Sequence, residues 1–308
     1  MKRSNIGMAV VGLVITVTLV SGQPSPGGAE QKPGGDETSE WKAVEETLGH
    51  RGAVQPGGVF RVGLPRTDLK VKVQGVDVKA GFALGSYAAF RKTSKDAMVM
   101  GDLVLLDEEV PKVMSELLAQ GLSVTALHNH LNEVSPHVMY MHYSGRGDVE
   151  KLAKSIRTAL GASGTPFGES AASASAAGPA IDQAQVEAAL GRSGRIINGI
   201  LQVGVPRTER ITDGGMELLP AMGVATAINF QPTGNGKAAI TGDFVLIAGE
   251  VNPVARTLRA HGIEVTALHN HALADSPRLF YMHFWANDDA VKLARGLRAA
   301  LDQINSAK

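Results

Sequence analysis

The sequence predicts an α+β protein built from two tandem repeats, each a mainly antiparallel sheet with helices on one face, able to pack together as an intramolecular pseudo-dimer. Three observations carry this. The stretch Val124 to Tyr143, VTALHNHLNEVSPHVMYMHY, returns from Val265 to Phe284 as VTALHNHALADSPRLFYMHF, with twelve of twenty positions identical at an offset of 141. Around each copy, apolar runs of period two alternate with segments whose apolar residues recur every three or four positions, the marks of strands and amphipathic helices. A chain of 308 residues also suffices for two domains that each bury a core.

Composition narrows the function classes. Lysine plus arginine and aspartate plus glutamate are both 30, and no basic run occurs, so nucleic acid is not an expected partner. There is no cysteine, which excludes disulfides, thiolate metal sites and cysteine nucleophiles and leaves histidine, carboxylate or tyrosine as metal ligands. The 44% apolar and 5% aromatic content suits a packed α/β or α+β protein rather than a disordered one. Met1-Lys2-Arg3 precedes an apolar run from Ile6 to Val20, about as long as a signal-peptide core and short for a membrane span. Val20-Ser21-Gly22 supplies small residues at the cleavage spacing. Residues 1–22 are thus expected to be a signal peptide, leaving an extracytoplasmic protein, periplasmic or secreted, with no transmembrane segment after cleavage. An uncleaved single anchor is the alternative.

In order, residues 23–39 have a linker composition, and repeat domain 1 spans 40–160. It is expected to open with a helix from Glu40 to Leu48, capped by Ser39, followed by strands at Gly58–Leu64, Leu69–Val73 and Ala83–Arg91. A strand at Met98–Leu106, a helix capped by Asp107 with Val110, Val113, Met114, Leu117 and Leu118 on one stripe, strands at Leu122–His130 and Val138–Tyr143, and a helix over Asp148–Leu160 complete it. Residues 161–181, rich in alanine, serine and glycine, are expected to link it to repeat domain 2 at 182–302. There the corresponding elements are a helix at Asp182–Leu190, strands at Ile197–Val205, Val224–Gln231 and Gly242–Ala248, a helix at Val251–Ala260, strands at Ile263–His271 and Leu279–Trp285, and a helix at Asp288–Leu301.

Six of the nine histidines occupy matched positions: His128, His130 and His142, then His269, His271 and His283. Alternation along a strand puts His128 and His130 on one face with Leu127 on the other. If the two strands form a hairpin about the Leu131 to His137 loop, position 128 lies near 140 and 126 near 142, which gathers His128, His130, Tyr140 and His142. Leu127, Met139 and Met141 then face the helices. Repeat 2 gives His269, His271, Tyr281 and His283 in the same way. Three imidazoles beside a tyrosine suit zinc, copper or iron with an open coordination position. Such a metal lowers the pKa of a bound water and makes a hydroxide nucleophile. A metal-free polar binding surface and a structural interface between the repeats are the alternatives. Glu133 is a further carboxylate, but repeat 2 has Ala274 there; His50, His137 and His261 are expected at the surface. Arg66 and Arg207, each following a proline, are candidates to bind an anion or carboxylated ligand beside the histidines, against a plain ion pair with Asp68 or Glu209.

Pro65-Arg66-Thr67-Asp68, Met100-Gly101-Asp102-Leu103-Val104-Leu105, Thr125-Ala126-Leu127-His128-Asn129-His130 and Tyr140-Met141-His142, with their second copies, resemble a bacterial family of uncharacterised exported domains named after the lipoproteins LppY and LpqO. The resemblance implies a tandem domain and an exported location, and it brings no activity. Its named members are lipoproteins, whereas this chain has no cysteine to acylate. Together these features predict an extracytoplasmic protein whose duplicated His-x-His and Tyr-x-His sites bind a transition metal, zinc foremost, with metal-dependent hydrolysis as one outcome. The alternative is a non-enzymatic module that uses the same polar face, with Tyr140 and Tyr281, for a small molecule or cell-envelope component.

Overall fold

A computed structural model describes residues 35–168 and 180–307. The expected signal peptide and the central part of the 161–181 linker lie outside the described residues. Repeat 1 runs α1 (Gly35–Leu48), β1 (Gly52–Gln55), β2 (Val59–Pro65), β3 (Val71–Val73), β4 (Val76–Val78), α2 (Ala80–Ala83), β5 (Gly85–Lys92), β6 (Ala97–Leu106), α3 (Val110–Ala119), β7 (Ser123–His128), β8 (Val134–Ser135), β9 (Val138–Gly147) and α4 (Val149–Leu160). Repeat 2 runs α5 (Gln183–Leu190), β10 (Arg195–Ile197), β11 (Ile200–Pro206), β12 (Ile211–Asp213), β13 (Met216–Leu218), β14 (Ala225–Gly234), β15 (Lys237–Leu246), α6 (Ala248–Ala260), β16 (Glu264–His269), β17 (Asp275–Ser276), β18 (Phe280–Asp289) and α7 (Ala290–Leu301), with a single 3-10 turn at Pro220–Met222.

Each repeat has a six-stranded sheet, β1-β2-β5-β6-β9-β7 and β10-β11-β14-β15-β18-β16, with antiparallel neighbours throughout. This is the predicted class, and several boundaries differ. The helix α1 begins at Gly35, so Ser39 lies inside it rather than capping it. Asp107 does not cap α3; Glu109 occupies that position and Asp107 pairs with His137 at 2.7 Å. The run from Leu69 contributes only β3, which leaves the main sheet for a small one ordered β4-β3-β8. Repeat 2 has the same device, β13-β12-β17, built from strands of three and two residues that carry too little periodicity to be read in advance.

The alternating burial of the strands explains the layering. One face of the repeat 1 sheet (Phe60, Val62, Phe90, Val99, Leu103, Met141) is buried under Val44 and Leu48 of α1, Val113 and Leu117 of α3 and Leu152 and Ile156 of α4. Repeat 2 builds an equivalent core under α5, α6 and α7. Leu127 and Leu268 are exposed, because β7 and β16 are edge strands and the helices do not cover their ends, and Leu118 of α3 is exposed instead of joining the buried stripe of Val113 and Leu117. The opposite faces of the two sheets pack on each other. Val104, Tyr140 and Phe82 of repeat 1 meet Ile200, Ala239 and Trp285 of repeat 2, and by pseudo-symmetry Val245, Tyr281 and Met222 meet Val59 and Met98. Polar ties cross the seam: the Gln231 amide bonds Lys79 N and the Asp77 carbonyl, both at 2.8 Å, and Trp285 Nε1 donates to Gln74 Oε1 at 3.1 Å.

A buried arginine clamp recurs at the 141-residue offset. Arg66 gives all five of its N–H groups to the protein: Nε and Nη2 to Asp68, Nη1 and Nη2 to Glu109 at 2.6 and 3.1 Å, and Nη1 to the Val104 carbonyl at 2.9 Å. Glu109 also accepts from Gly164 N, so residues 161–168 pack on repeat 1 instead of beginning a free linker. Arg207 repeats the pattern with Glu209, Glu250 and the Val245 carbonyl, and Glu250 accepts from Asn305 N. Removing one partner of a buried pair leaves the other charge uncompensated. Arg66→Ala is therefore expected to lower stability by about 3 to 5 kcal/mol, read from the shift of the urea unfolding curve. A shift below about 1 kcal/mol, the level of surface pairs, would show that the clamp is not structural.

Candidate metal centre

Strand pairing positions the histidines. Across the repeat 1 sheet Asp102 pairs with His142, and His142 with Ala126; one row on, Val104 pairs with Tyr140, and Tyr140 with His128. The pairings of His128 with Tyr140 and of Ala126 with His142 are those expected from the sequence. Residues level across a sheet share a face, so Asp102, His128, Tyr140 and His142 all point at the other repeat. A bulge at Thr125 preserves this arrangement while Val124 packs toward the helices, and its counterpart at Thr266 sends its hydroxyl across the seam to donate to the His130 carbonyl at 2.5 Å. His130 lies just beyond the end of β7, so its position is set by that bond and by the loop rather than by the strand.

The expectation of one separate cluster in each repeat is corrected: all six imidazoles converge on a single centre at the seam. Rings pair across the repeats, His128 with His269 at 3.4 Å between centroids, His130 with His283 at 3.7 Å and His142 with His271 at 3.6 Å. Neighbours within a repeat, such as His128 and His142, stand 5.0 Å apart. Candidate ligand atoms lie within 4.8 Å of one another in His128, His130, His269 and His283, in His128, His142 and His271, and in two mixed sets, Asp102 with His130 and His142, and Asp243 with His271 and His283. The purely histidine sets each draw on both repeats.

The chemistry of the donors fits a metal. The Nε2 atoms of all six histidines are buried without a hydrogen-bond partner in the protein. Leaving a buried polar atom unsatisfied costs about 1 to 3 kcal/mol, so six in one place call for a shared partner. His283 Nδ1 stands 2.9 Å from the Gly242 carbonyl; donation there fixes the tautomer and leaves the Nε2 lone pair facing the centre. Burial, reinforced by charge repulsion from neighbouring rings, holds His130, His142, His271 and His283 well below the usual histidine pKa. Burial likewise lowers His128 to about 4 and His269 to about 3. Neutral imidazole is the metal-binding form.

Asp102 and Asp243 were given no ligand role from the sequence, although each is the one acid inside an apolar strand and recurs at the 141 offset, which was the available signal. Burial raises both to about 7. Tyr140 and Tyr281 lie flat on His130 and His271, at 3.3 and 3.4 Å between centroids, and the Tyr140 hydroxyl donates to the Ala83 carbonyl at 2.7 Å. Arg66 and Arg207 stand in their clamps with no donor left for an anion, which is the ion-pair alternative extended by Glu109 and Glu250. Glu133 is exposed and belongs to none of the ligand sets. His137 and His261 are exposed, whereas His50 is half-buried against the Pro166 carbonyl at 2.9 Å. One side of the cluster, at His130 and His283, opens into a cleft of about 850 Å³ between the two sheets.

The shifts give the metal-free protein a definite pH response. Six histidines would take up protons near 6.5 when unfolded but resist them when folded, so their contribution is present above that pH and drains away toward pH 4. Asp102 and Asp243 act oppositely, holding protons below about 7 that the unfolded chain keeps only near 3.8. Six groups outweigh two, so the melting temperature of metal-free protein is expected to fall between pH 6.5 and 4, less steeply in a His128→Ala, His269→Ala variant. A melting temperature that is flat or rises on acidification would contradict this burial of neutral imidazoles.

The profile of a protein family described as "Domain of Unknown Function (DUF1259)" matches the chain twice, over residues 42–162 and 184–303. No curated protein matches it. Among solved structures, the trimeric bacterial microcompartment shell protein PduB is 11% identical, covering 83% of this chain and 91% of that one with a TM-score of 0.22. EtuB from Clostridium kluyveri is 9% identical, covering 82% and 88% with a TM-score of 0.20. Values this low say nothing of function.

Proposed function

Because the chain belongs to the family described as Domain of Unknown Function (DUF1259), carries it in tandem, and brings both copies to one histidine cluster, we propose that it is an extracytoplasmic transition-metal-binding protein with a single composite centre. The observation that carries this reading is the set of six unpartnered Nε2 atoms drawn from both repeats. Zinc is the first candidate, since neutral imidazoles joined by a carboxylate match its ligand chemistry, and copper and iron accept the same donors. When bound with an open position, such an ion supplies a water acidic enough to act as a nucleophile near neutral pH. Burial raises Asp102 and Asp243 to about 7 in the metal-free protein; a bound cation favours their carboxylate form, which places them to accept a proton from such a water. Hydrolysis is the reaction class this combination serves. The cleft beside the cluster also supports the second reading, capture of a small cell-envelope ligand without turnover.

Elemental analysis of protein purified without a histidine tag tests the proposal. Wild-type protein is expected to hold zinc, copper or iron, and His128→Ala, which removes a ligand from both histidine sets, is expected to weaken binding more than the roughly 10- to 100-fold typical of outer-shell changes. Protein that takes up none of these metals, nor manganese, would overturn it. Chelation gives a second readout: saturating metal at about 100 times its dissociation constant stabilises by about 2.7 kcal/mol, so removal is expected to lower the melting temperature. A melting temperature indifferent to chelation and metal return would argue against binding to the folded state.

A further inference from the structure

The two repeats offer two pseudo-symmetric approaches to the cluster, and the residues that line them differ. The first reaches His130, His283 and Tyr140 through the cleft of about 850 Å³, past Phe82, Ala83, Ala227, Thr241 and Gly242. The second reaches the matching His271, His142 and Tyr281 past Met222, Gly223, Tyr87, Met100 and Gly101, and it has shrunk to a pocket of about 10 Å³. Strand register establishes the equivalence. Tyr87 pairs with Asp102 as Ala227 pairs with Asp243, and Met100 pairs with Ala89 as Thr241 pairs with Asn229. Two bulky residues of repeat 1 thus stand where repeat 2 has two small ones, and Tyr87 borders the open cleft as well as the closed pocket.

Tyr87 is held as a plug. Its hydroxyl reaches the turn of repeat 2 so closely that a Cβ at Gly223 would lie 2.4 Å from it, and Gly223 has φ +88°, so an L side chain there would be strained twice over. The Arg61 guanidinium lies 3.5 Å above the Tyr87 ring, and its Nη1 donates to the Ala221 carbonyl at 2.6 Å. Repeat 2 has Gln202 at the position of Arg61, and both line the cleft. Arg61 therefore gives the cleft a cation without a symmetric partner, while Asp102 and Asp243 stand at its metal end.

Resting on the metal reading above, we infer that the duplicated centre works from one side only. An exogenous ligand reaches the metal through the Ala227 and Thr241 cleft, and the ligand class is a small oxyanion-bearing molecule, a carboxylate or a phosphate, whose charge faces Arg61. The opposite approach is closed by Tyr87 and Met100.

The test uses the full chain loaded with cobalt(II), whose visible spectrum reports its coordination, titrated with two probes: acetate as the oxyanion and imidazole as a neutral ligand. Wild-type protein is expected to bind both. Exchanging the cleft residues for those of the closed side, Ala227→Tyr with Thr241→Met, is expected to weaken both at least tenfold with cobalt content unchanged. Thr241→Met alone serves if the pair disturbs folding and is expected to act in the same direction. Arg61→Gln is expected to weaken acetate severalfold and leave imidazole as it was. The reciprocal Tyr87→Ala, Met100→Thr variant, which also takes away the ring under Arg61, is expected to bind imidazole at least as tightly as wild type. Cobalt-loaded protein that ignores both probes, cleft variants that bind them like wild type, equal losses of both probes in Arg61→Gln, or a tenfold loss of imidazole on unplugging would each overturn this inference while leaving metal binding intact. Protein that takes up no cobalt or other transition metal would overturn the metal reading, and this inference with it.

Discussion

Everything in this molecule depends on how two sheets bury their polar middles against each other. Each repeat covers one sheet face with its own helices, and the remaining face carries three histidines, an aspartate and a tyrosine amid apolar residues. Apolar clusters on either side of the histidines, anchored by Trp285 and Phe82 on one flank and Tyr281 and Met222 on the other, exclude water around them. That burial lowers the histidine pKa values, raises those of the aspartates and leaves the six Nε2 atoms without a hydrogen-bond partner in the protein. The same packing that makes the pseudo-dimer therefore makes the purely histidine sets, each of which draws on both repeats.

Much of this was legible in the sequence. The 141-residue repeat gave two units, and period-two alternation with hairpin logic put His128 opposite Tyr140 and Ala126 opposite His142, which the register reproduces. Strand alternation is a local rule, and it survives because the face it specifies is buried. The sequence allowed the repeats to pack as a pseudo-dimer, but it did not give which residues meet across the seam. His128 and His269 touch because the sheets face each other, and nothing local encodes that contact. Asp102 and Asp243 were overlooked for a related reason: a lone acid within MVMGDLVLL is remarkable only when the face it points to is known to be sealed.

The arginine clamps show how a motif can be structural and still resemble a binding site. Pro-Arg-Thr with a following acid marks a local ion pair, and the local part is present. The other part comes from Glu109 and Glu250, 43 residues further along the chain in each case, which tie the arginine to a strand end, a helix start and the tail of the repeat. Through Gly164 and Asn305 the folded unit extends past its last helix, so each domain ends slightly later than helix periodicity indicated.

The covalent union of the repeats has a consequence for what the centre can become. A two-fold homodimer of one repeat would have to carry the same side chain at both approaches to its axis, since each substitution appears twice. A tyrosine that seals one side would seal the other. Joining the copies in one chain removes that obligation, and Tyr87 against Gly223 while Ala227 and Ala83 line the open cleft is an arrangement that a homodimer cannot hold. Fusion converts an axis into a direction, giving a symmetric nest of histidines an inside and an outside.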